Sequence, residues 1–245
     1  MVDTLLQSVA VHFNGVADKG LIPAVFLARP NRFVAEVRLA DGRREMVHCR
    51  NSGSMKGCLK VGAPVRLSRA TPRRGRKTAY TWEMIEIDSG WVGINTTIPN
   101  RLAAQAAEKR ALPIFRDAYD VQREVSAGNH ARLDLRVTTP KGPLWVEVKN
   151  VTLVENGTAL FPDAVTVRGT KHLEVLVERV RQGEQAAMLY VVQRMDADRF
   201  APAHHIDPVY AERLRWAQAH GVAVCVVQAR VRPEAVVLER LLPLA

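Results

Sequence analysis

Residues 131–150 read ARLDLRVTTPKGPLWVEVKN. Arg132–Thr138 and Leu144–Asn150 both carry strand patterning, and the PKGP segment Pro140–Pro143 between them is a turn. Glu147 and Lys149 are two apart, so on a strand their side chains leave one face while Val146 and Val148 leave the other. Asp134 lies 13 residues upstream of Glu147, with the turn at the midpoint, so a hairpin sets the two carboxylates roughly opposite each other. Two carboxylates on one face make a hard-oxygen site for Mg²⁺ or Mn²⁺. A lysine beside them can orient or deprotonate a metal-bound water, or neutralise charge developing on a phosphate. Asp134, Glu147 and Lys149 are therefore candidate catalytic residues, with Asp134 and Glu147 as metal ligands. The same spacing also fits a surface hairpin laced with cross-strand charges.

On either side of this hairpin the pattern is mixed. RLAAQAAEKRAL, residues 101–112, is an Ala-rich helix with Asn100 as expected N-cap and Pro113 as its stop. Asp120–Ser126 alternates as a strand and Gly128-Asn129 turns it. Thr170–Gln182 places Leu173, Leu176, Val177 and Val180 on one helical stripe that ends at Gly183. Ala186–Val192 and Val222–Val227 are apolar runs of buried-strand type, separated by a helix that Asp207-Pro208 opens and Gly221 closes. This order predicts an α/β domain built on a mixed (α+β) sheet, and it matches the architecture of PD-(D/E)xK nucleases, a fold-level analogy. Glu124 on the neighbouring strand and Asp163 in FPDAVTVRG are further candidate metal ligands, although a solvent-facing glutamate and a turn-forming aspartate read equally naturally. Gln193, at the end of a buried strand, is placed to reach the site. Lys171 and His172 open a helix and can hold a phosphate there, or serve as ordinary helix-start residues.

The first 90 residues are different. Arg32–Leu39 alternates, Asp41-Gly42 supplies hairpin chemistry, and Val47–Arg50, Ala63–Arg69 and Thr78–Ile87 add short β-prone runs, which together predict a small OB-like barrel. Residues 1–90 carry 15 Lys/Arg against 8 Asp/Glu, and residues 91–245 carry 20 against 17. Arg66, Arg69, Arg73, Arg74, Arg76 and Lys77 form a run without an acid, with Tyr80 and Trp82 just beyond. Cations for phosphates and aromatic faces for bases are the chemistry of nucleic-acid binding, and a solvated basic loop is the plainer alternative. Two domains are expected, 1–90 and 91–245. Hydrophobic residues at 47% and charged residues at 24% exclude a disordered chain. No run reaches the roughly 18 apolar residues of a membrane span. The start, with Asp3 and no basic region, does not read as a secretory signal, and Cys49, Cys58 and Cys225 form no CxxC, so a reducing cytoplasm is the expected home.

Several strings together resemble the sugar fermentation stimulation protein A (SfsA) family. They include His48–Met55 (HCRNSGSM), Tyr80–Glu83 (YTWE), Asn95-Thr96 with Pro99-Asn100, and Arg132-Leu133-Asp134. Val146–Leu153 (VEVKNVTL), Phe161–Thr166 (FPDAVT), Arg168-Gly169, Lys171-His172-Leu173 and Val191–Arg194 (VVQR) complete the set. The resemblance implies an N-terminal OB-like barrel and a C-terminal PD-(D/E)xK nuclease-like domain whose motif falls on Asp134, Glu147 and Lys149. It also implies DNA binding with little sequence preference and an association with regulation of sugar (maltose) metabolism. Here the family's Asn-Thr-Gly-Met-type stretch reads Asn51-Ser52-Gly53-Ser54-Met55, and its Tyr-Gly is Ala127-Gly128. The function expected is a nonspecific DNA-binding protein with an Mg²⁺- or Mn²⁺-dependent nuclease site. The alternatives are a non-enzymatic DNA-binding regulator with a vestigial acidic site, and a factor directed to RNA.

Overall fold

The structure, a computed structural model, describes residues 2–13, 20–71, 75, 77–88, 90–128 and 131–245. The chain starts with α1 (Val2–Gln7) and β1 (Ala10–His12), then enters six strands: β2 (Ile22–Asn31), β3 (Val34–Leu39), β4 (Arg44–Cys49), β5 (Pro64–Arg69), β6 (Tyr80–Ile87) and β7 (Gly90–Gly93). Their order is β4-β3-β2-β5-β6-β7, and a parallel pairing of β4 with β6 closes the first five into a barrel. The Asp41-Gly42 hairpin forms as its sequence predicts: Gly42 takes φ 86, which an L side chain resists, and Asp41 Oδ1 accepts the Arg43 N–H at 3.0 Å. Inside, Phe26 stacks on Trp82 at 5.0 Å, among Val37, Val47, Val65 and Leu67.

Beyond the barrel come α2 (Thr97–Glu108), a 3₁₀ turn at Pro113–Phe115, β8 (Asp120–Ser126), β9 (Arg132–Thr139), β10 (Gly142–Val151), β11 (Leu153–Glu155) and β12 (Thr158–Phe161). There follow α3 (Val167–Arg181), β13 (Gln185–Val192), β14 (Arg199–Pro202), α4 (Pro208–Ala219), β15 (Ala223–Val231) and β16 (Ala235–Leu241). Seven strands form a mixed sheet, β1-β16-β15-β13-β10-β9-β8, in which β10, β13 and β15 are mutually parallel. β13 is apolar and buried along nearly its whole length, as a central parallel strand covered on both faces must be. Val146 and Val148 pack with α2 on one face; Met188, Tyr190 and Leu173 pack with α3 and α4 on the other.

Three placements differ from expectation. β1 pairs with β16, so residues 10–12 belong to the large sheet and not to the barrel, while the barrel's sheet continues past the closure into β7, which ends at Gly93. α2 begins at Thr97, and Asn100 lies within it: Asn95 Oδ1 takes the Thr97 N–H at 3.0 Å, and Pro99 fits a first turn that needs no donor. The same helix ends at Glu108, before Pro113. At α4, by contrast, Asp207 caps as expected, its Oδ1 accepting the Tyr210 N–H at 3.0 Å, and its Oδ2 also takes the Thr166 N–H at 2.8 Å. Among the described residues, no helix is long and apolar enough to cross a membrane.

Candidate active site

β9 and β10 pair from Thr139↔Gly142 to Leu135↔Val146, and the next step in that register sets Asp134 beside Glu147. There the backbone ladder gives way to a side chain, because Asp134 Oδ2 accepts the Val148 N–H at 2.8 Å. A cavity of about 450 Å³ lies at this point, lined by Asp134, Glu147 and Lys149 on the sheet. Asn100 on α2 reaches across to donate to Asp134 Oδ1 at 2.6 Å.

Glu147 is 3% exposed. Its Oε1 takes hydrogen bonds from both Lys149 Nζ and His172 Nδ1. Its Oε2 is buried and has no partner. Arg168 Nε donates to His172 Nε2 at 3.4 Å, an arrangement that leaves the ring proton on Nδ1, facing the glutamate. Burial, and then the neighbouring Glu147 charge, push the Asp134 carboxyl up to about 7, against the opposing pull of the Val148 N–H, Lys149 and Asn100. Burial acts to raise the Glu147 carboxyl too, but Lys149 and His172 outweigh it and the net shift is downward. The site thus holds one carboxylate kept ionised and a second that resists ionisation beside it. A divalent cation held there would relieve that conflict and give the orphaned oxygen a partner. The donor set fits a hard cation with Asp134 and Glu147 as ligands. Since no group of three or more His, Cys, Asp or Glu that could hold a metal exists among the described residues, waters or backbone oxygens would complete the shell.

The barrel supplies the opposite wall through Arg32, Asn51, Ser52 and Gly53, with Thr96 at the start of α2. Arg29 fixes this loop by donating to the carbonyls of Asn51 at 2.7 Å, Gly53 at 3.0 Å and Ser54 at 3.2 Å. Asp163 fastens it to the other domain: its backbone carbonyl accepts from Ser54 Oγ at 2.6 Å and its Oδ2 from the Met55 N–H at 2.9 Å. A Cβ on Gly53 would fall 2.6 Å from Asp163 Oδ1, so a larger residue there would have to displace the Asp163 carboxylate from its place beside the loop. Asp163 lines the cavity as the sequence suggested, yet one carboxylate oxygen is committed to the barrel loop.

The other sequence candidates divide. His172 joins the acidic centre and is buried, with α3 starting five residues earlier than that role requires of a helix-start residue. Lys171 is exposed in an adjoining groove with Arg132 and Arg168. Glu124 is exposed on edge strand β8 with φ 53 and does not line the cavity. Gln193 points to the domain seam instead: its Nε2 donates to Asn150 Oδ1 at 2.8 Å and to the Gly93 carbonyl at 3.3 Å. Trp82 is fully buried against Phe26, so it cannot stack on a base. Arg69 sits over the half-buried Tyr80 ring at 5.8 Å and Arg66 over Trp91 at 4.9 Å, while Lys77 is exposed. Arg73, Arg74 and Arg76 lie outside the described residues. Sequence reasoning missed Asn100 and Arg168 as site residues and Trp91 as a surface aromatic. An N-terminal Asn reads as a cap, and Arg168 carries no local signal beyond its charge.

Residues 97–235 match the family model described as the sugar fermentation stimulation protein RE domain, and residues 27–94 match the SfsA N-terminal OB domain. The chain belongs to the SfsA family. Among SfsA relatives, the sugar fermentation stimulation protein homolog of Geotalea daltonii is 46% identical over 223 residues, covering 91% of this chain and 96% of the relative. The homolog of Geobacter metallireducens is 47% identical over 224 residues, with the same coverages of 91% and 96%. A solved SfsA structure, that of Pyrococcus furiosus SfsA in complex with Ca²⁺, aligns with a TM-score of 0.84 at 28% identity, covering 93% of this chain and 96% of that one. The barrel joined to an α/β domain is thus the SfsA architecture.

Proposed function

We propose that this SfsA-family protein binds DNA without sequence preference and hydrolyses phosphodiesters at the Asp134–Glu147 cavity with Mg²⁺ or Mn²⁺. The observation that carries the reading is the buried, unpartnered Oε2 of Glu147 beside a carboxyl pushed up to about 7. Such a pair is an unfavourable arrangement that a bound cation makes favourable. The Ca²⁺ in the Pyrococcus furiosus relative supports a divalent ion in this family. A cation held by Asp134 and Glu147 supplies charge neutralisation at the scissile phosphate and an activated water. Lys149, whose Nζ already lies on Glu147, holds a water or a phosphate oxygen and stabilises negative charge as it develops. His172 and Asn100 fix the rotamers of the two acids. Arg168, exposed on the cavity rim, and the Arg66 and Arg69 face of the barrel engage phosphates.

One observation favours a second reading, a DNA-binding regulator without chemistry: Lys149 and His172 partly neutralise Glu147 by themselves. Incubation of the purified protein with supercoiled, linear and single-stranded DNA plus Mn²⁺, beside Glu147→Gln, separates the two. Products from the wild type that vanish in the variant support hydrolysis. No products, or equal products from both, remove it in favour of the regulator.

A further inference from the structure

The cavity has two chemically distinct sides. Its floor is charged, with Asp134, Glu147 and Lys149, whereas the segment leading into α3 brings Phe161, Pro162, Ala164 and Val165 to the same space, with Asp163 between them turned to its bonds with the barrel loop and Arg168 beyond. Val165 is 71% exposed, an apolar side chain left in water at the edge of an acidic centre. A volume near 450 Å³ falls within the roughly 300–1,000 Å³ that enclose one small organic molecule.

The walls cannot readily move apart. Ser54 and Met55 of the barrel loop are hydrogen-bonded to Asp163, which lies two residues before Val165 in the opposite wall. Gly53 lies so close to the Asp163 carboxylate that a Cβ there would displace it. With Glu147 3% exposed, a scissile phosphate has to enter the cavity to reach the acids. In an intact duplex the phosphate comes with its stacked, paired base and the second strand, and a space for one small molecule does not admit them. An unpaired nucleotide is different. It carries an anionic phosphate at one end and a flat, largely apolar base face at the other, matching a charged floor beside an apolar shelf.

We infer that the cavity takes one unpaired nucleotide, its base against Val165 and Phe161 and its phosphate over Asp134 and Glu147, so that single-stranded DNA is the substrate and fully paired duplex is not. This rests on the placement of phosphate chemistry at the acidic pair, but it makes a separate claim about binding. Arg168 beside the floor and Arg32 on the barrel side provide cations for the flanking phosphates.

The test is a fluorescence-anisotropy titration in Ca²⁺ at fixed salt, using a labelled single-stranded DNA oligonucleotide and the blunt duplex of the same sequence. Wild type is compared with Val165→Ser and Val165→Tyr, two changes at an exposed position whose folding is checked by thermal melting. Stacking of a base on an aromatic side chain changes affinity by roughly 5- to 150-fold, so the tyrosine variant carries the largest expected gain and serine a smaller loss of apolar contact. The expected result is single-strand binding at least about 10-fold tighter than duplex binding, weakened by serine and strengthened by tyrosine, with the duplex affinity unmoved. Equal affinity for the two DNAs, or Val165 variants that change both alike, overturns the inference. A single-strand preference that follows Val165 but brings no cleavage with Mn²⁺ leaves the inference standing and removes only the hydrolytic reading.

Discussion

Glu83 and Glu147 are both buried glutamates, 6% and 3% exposed, and they show opposite ways of holding a carboxylate away from water. Glu83, on the barrel strand β6, has a neutral donor on each oxygen: Ser68 Oγ at 2.6 Å on Oε1 and Asn95 Nδ2 at 2.8 Å on Oε2. Burial raises its carboxyl, and those two donors, with Arg50 and Arg101 at longer range, only partly offset the rise. Glu147 has two partners on a single oxygen, Lys149 and His172, and nothing on the other. The first arrangement is complete and joins the barrel to the entry of α2. The second is incomplete: Glu147 lines a cavity, one of its oxygens is buried without a partner, and Lys149 and His172 on the other keep the carboxylate charged. Burial by itself therefore does not distinguish the two acids; the charge kept on Glu147 and its unpartnered oxygen do.

The largest expected effect breaks the symmetry between the two directly. If the proposed hydrolysis holds, Glu147→Gln is expected to lower Mn²⁺-dependent cleavage by about 100-fold or more, since several kcal/mol of charge stabilisation from a held cation would disappear, at roughly 1.4 kcal/mol per tenfold. Glu83→Gln leaves the rate per folded molecule unchanged; equal losses in the two variants would erase the distinction. Next in size is stability. Glu83→Ala leaves Ser68 and Asn95 without their acceptor in a buried setting and costs about 1–3 kcal/mol in urea unfolding.

Asp134 behaves in the opposite sense. Its folded carboxyl, pushed up to about 7, lies above the unfolded value, so its contribution to stability is full below about pH 4 and is lost as the pH rises toward 7. In metal-free protein Asp134→Asn is therefore stabilising at pH 8, by about 1–3 kcal/mol, and much less so at pH 5. An Asp134→Asn protein that is less stable than wild type at both pH values contradicts this account. The smallest effect is the most discriminating. Glu83 is also raised, so it too loses stability with rising pH, but saturating Mn²⁺ flattens only the part of the pH profile due to Asp134. The part removed by Glu83→Gln persists with or without the ion.

Much of this was legible in the sequence, and for definite reasons. The two-residue period of a strand forces Glu147 and Lys149 onto one face, and the symmetry of Asp134 and Glu147 about PKGP sets their register. Asp41-Gly42 and Asp207-Pro208 are local chemistry and behaved as such. Tertiary partners left no such trace. Asn100 meets Asp134 from 34 residues away, and Asp163 meets Met55 from 108 away, so neither role has a local pattern. β2 carries two prolines, Pro23 and Pro30, one residue in from its ends, where a strand tolerates them, so no uninterrupted β-prone run marks its full length. Trp82 was misread because β6 is buried from Thr81 to Ile85, with the barrel interior on one side and the α/β domain on the other; alternation cannot then tell inside from outside.

The pairing of β1 with β16 places the barrel between two parts of one sheet rather than at the end of the chain. The barrel is thus held by two covalent tethers, one entering after β1 and one leaving at Gly93, and not by a single hinge. The wall it presents to the acids is held by several bonds across the seam, those from Ser54 and Met55 to Asp163 and those from Gln193 and Arg194 to the Gly93 and Gly57 carbonyls. Loss of any single bond at that seam should therefore loosen the mouth of the cavity without carrying the barrel away from it.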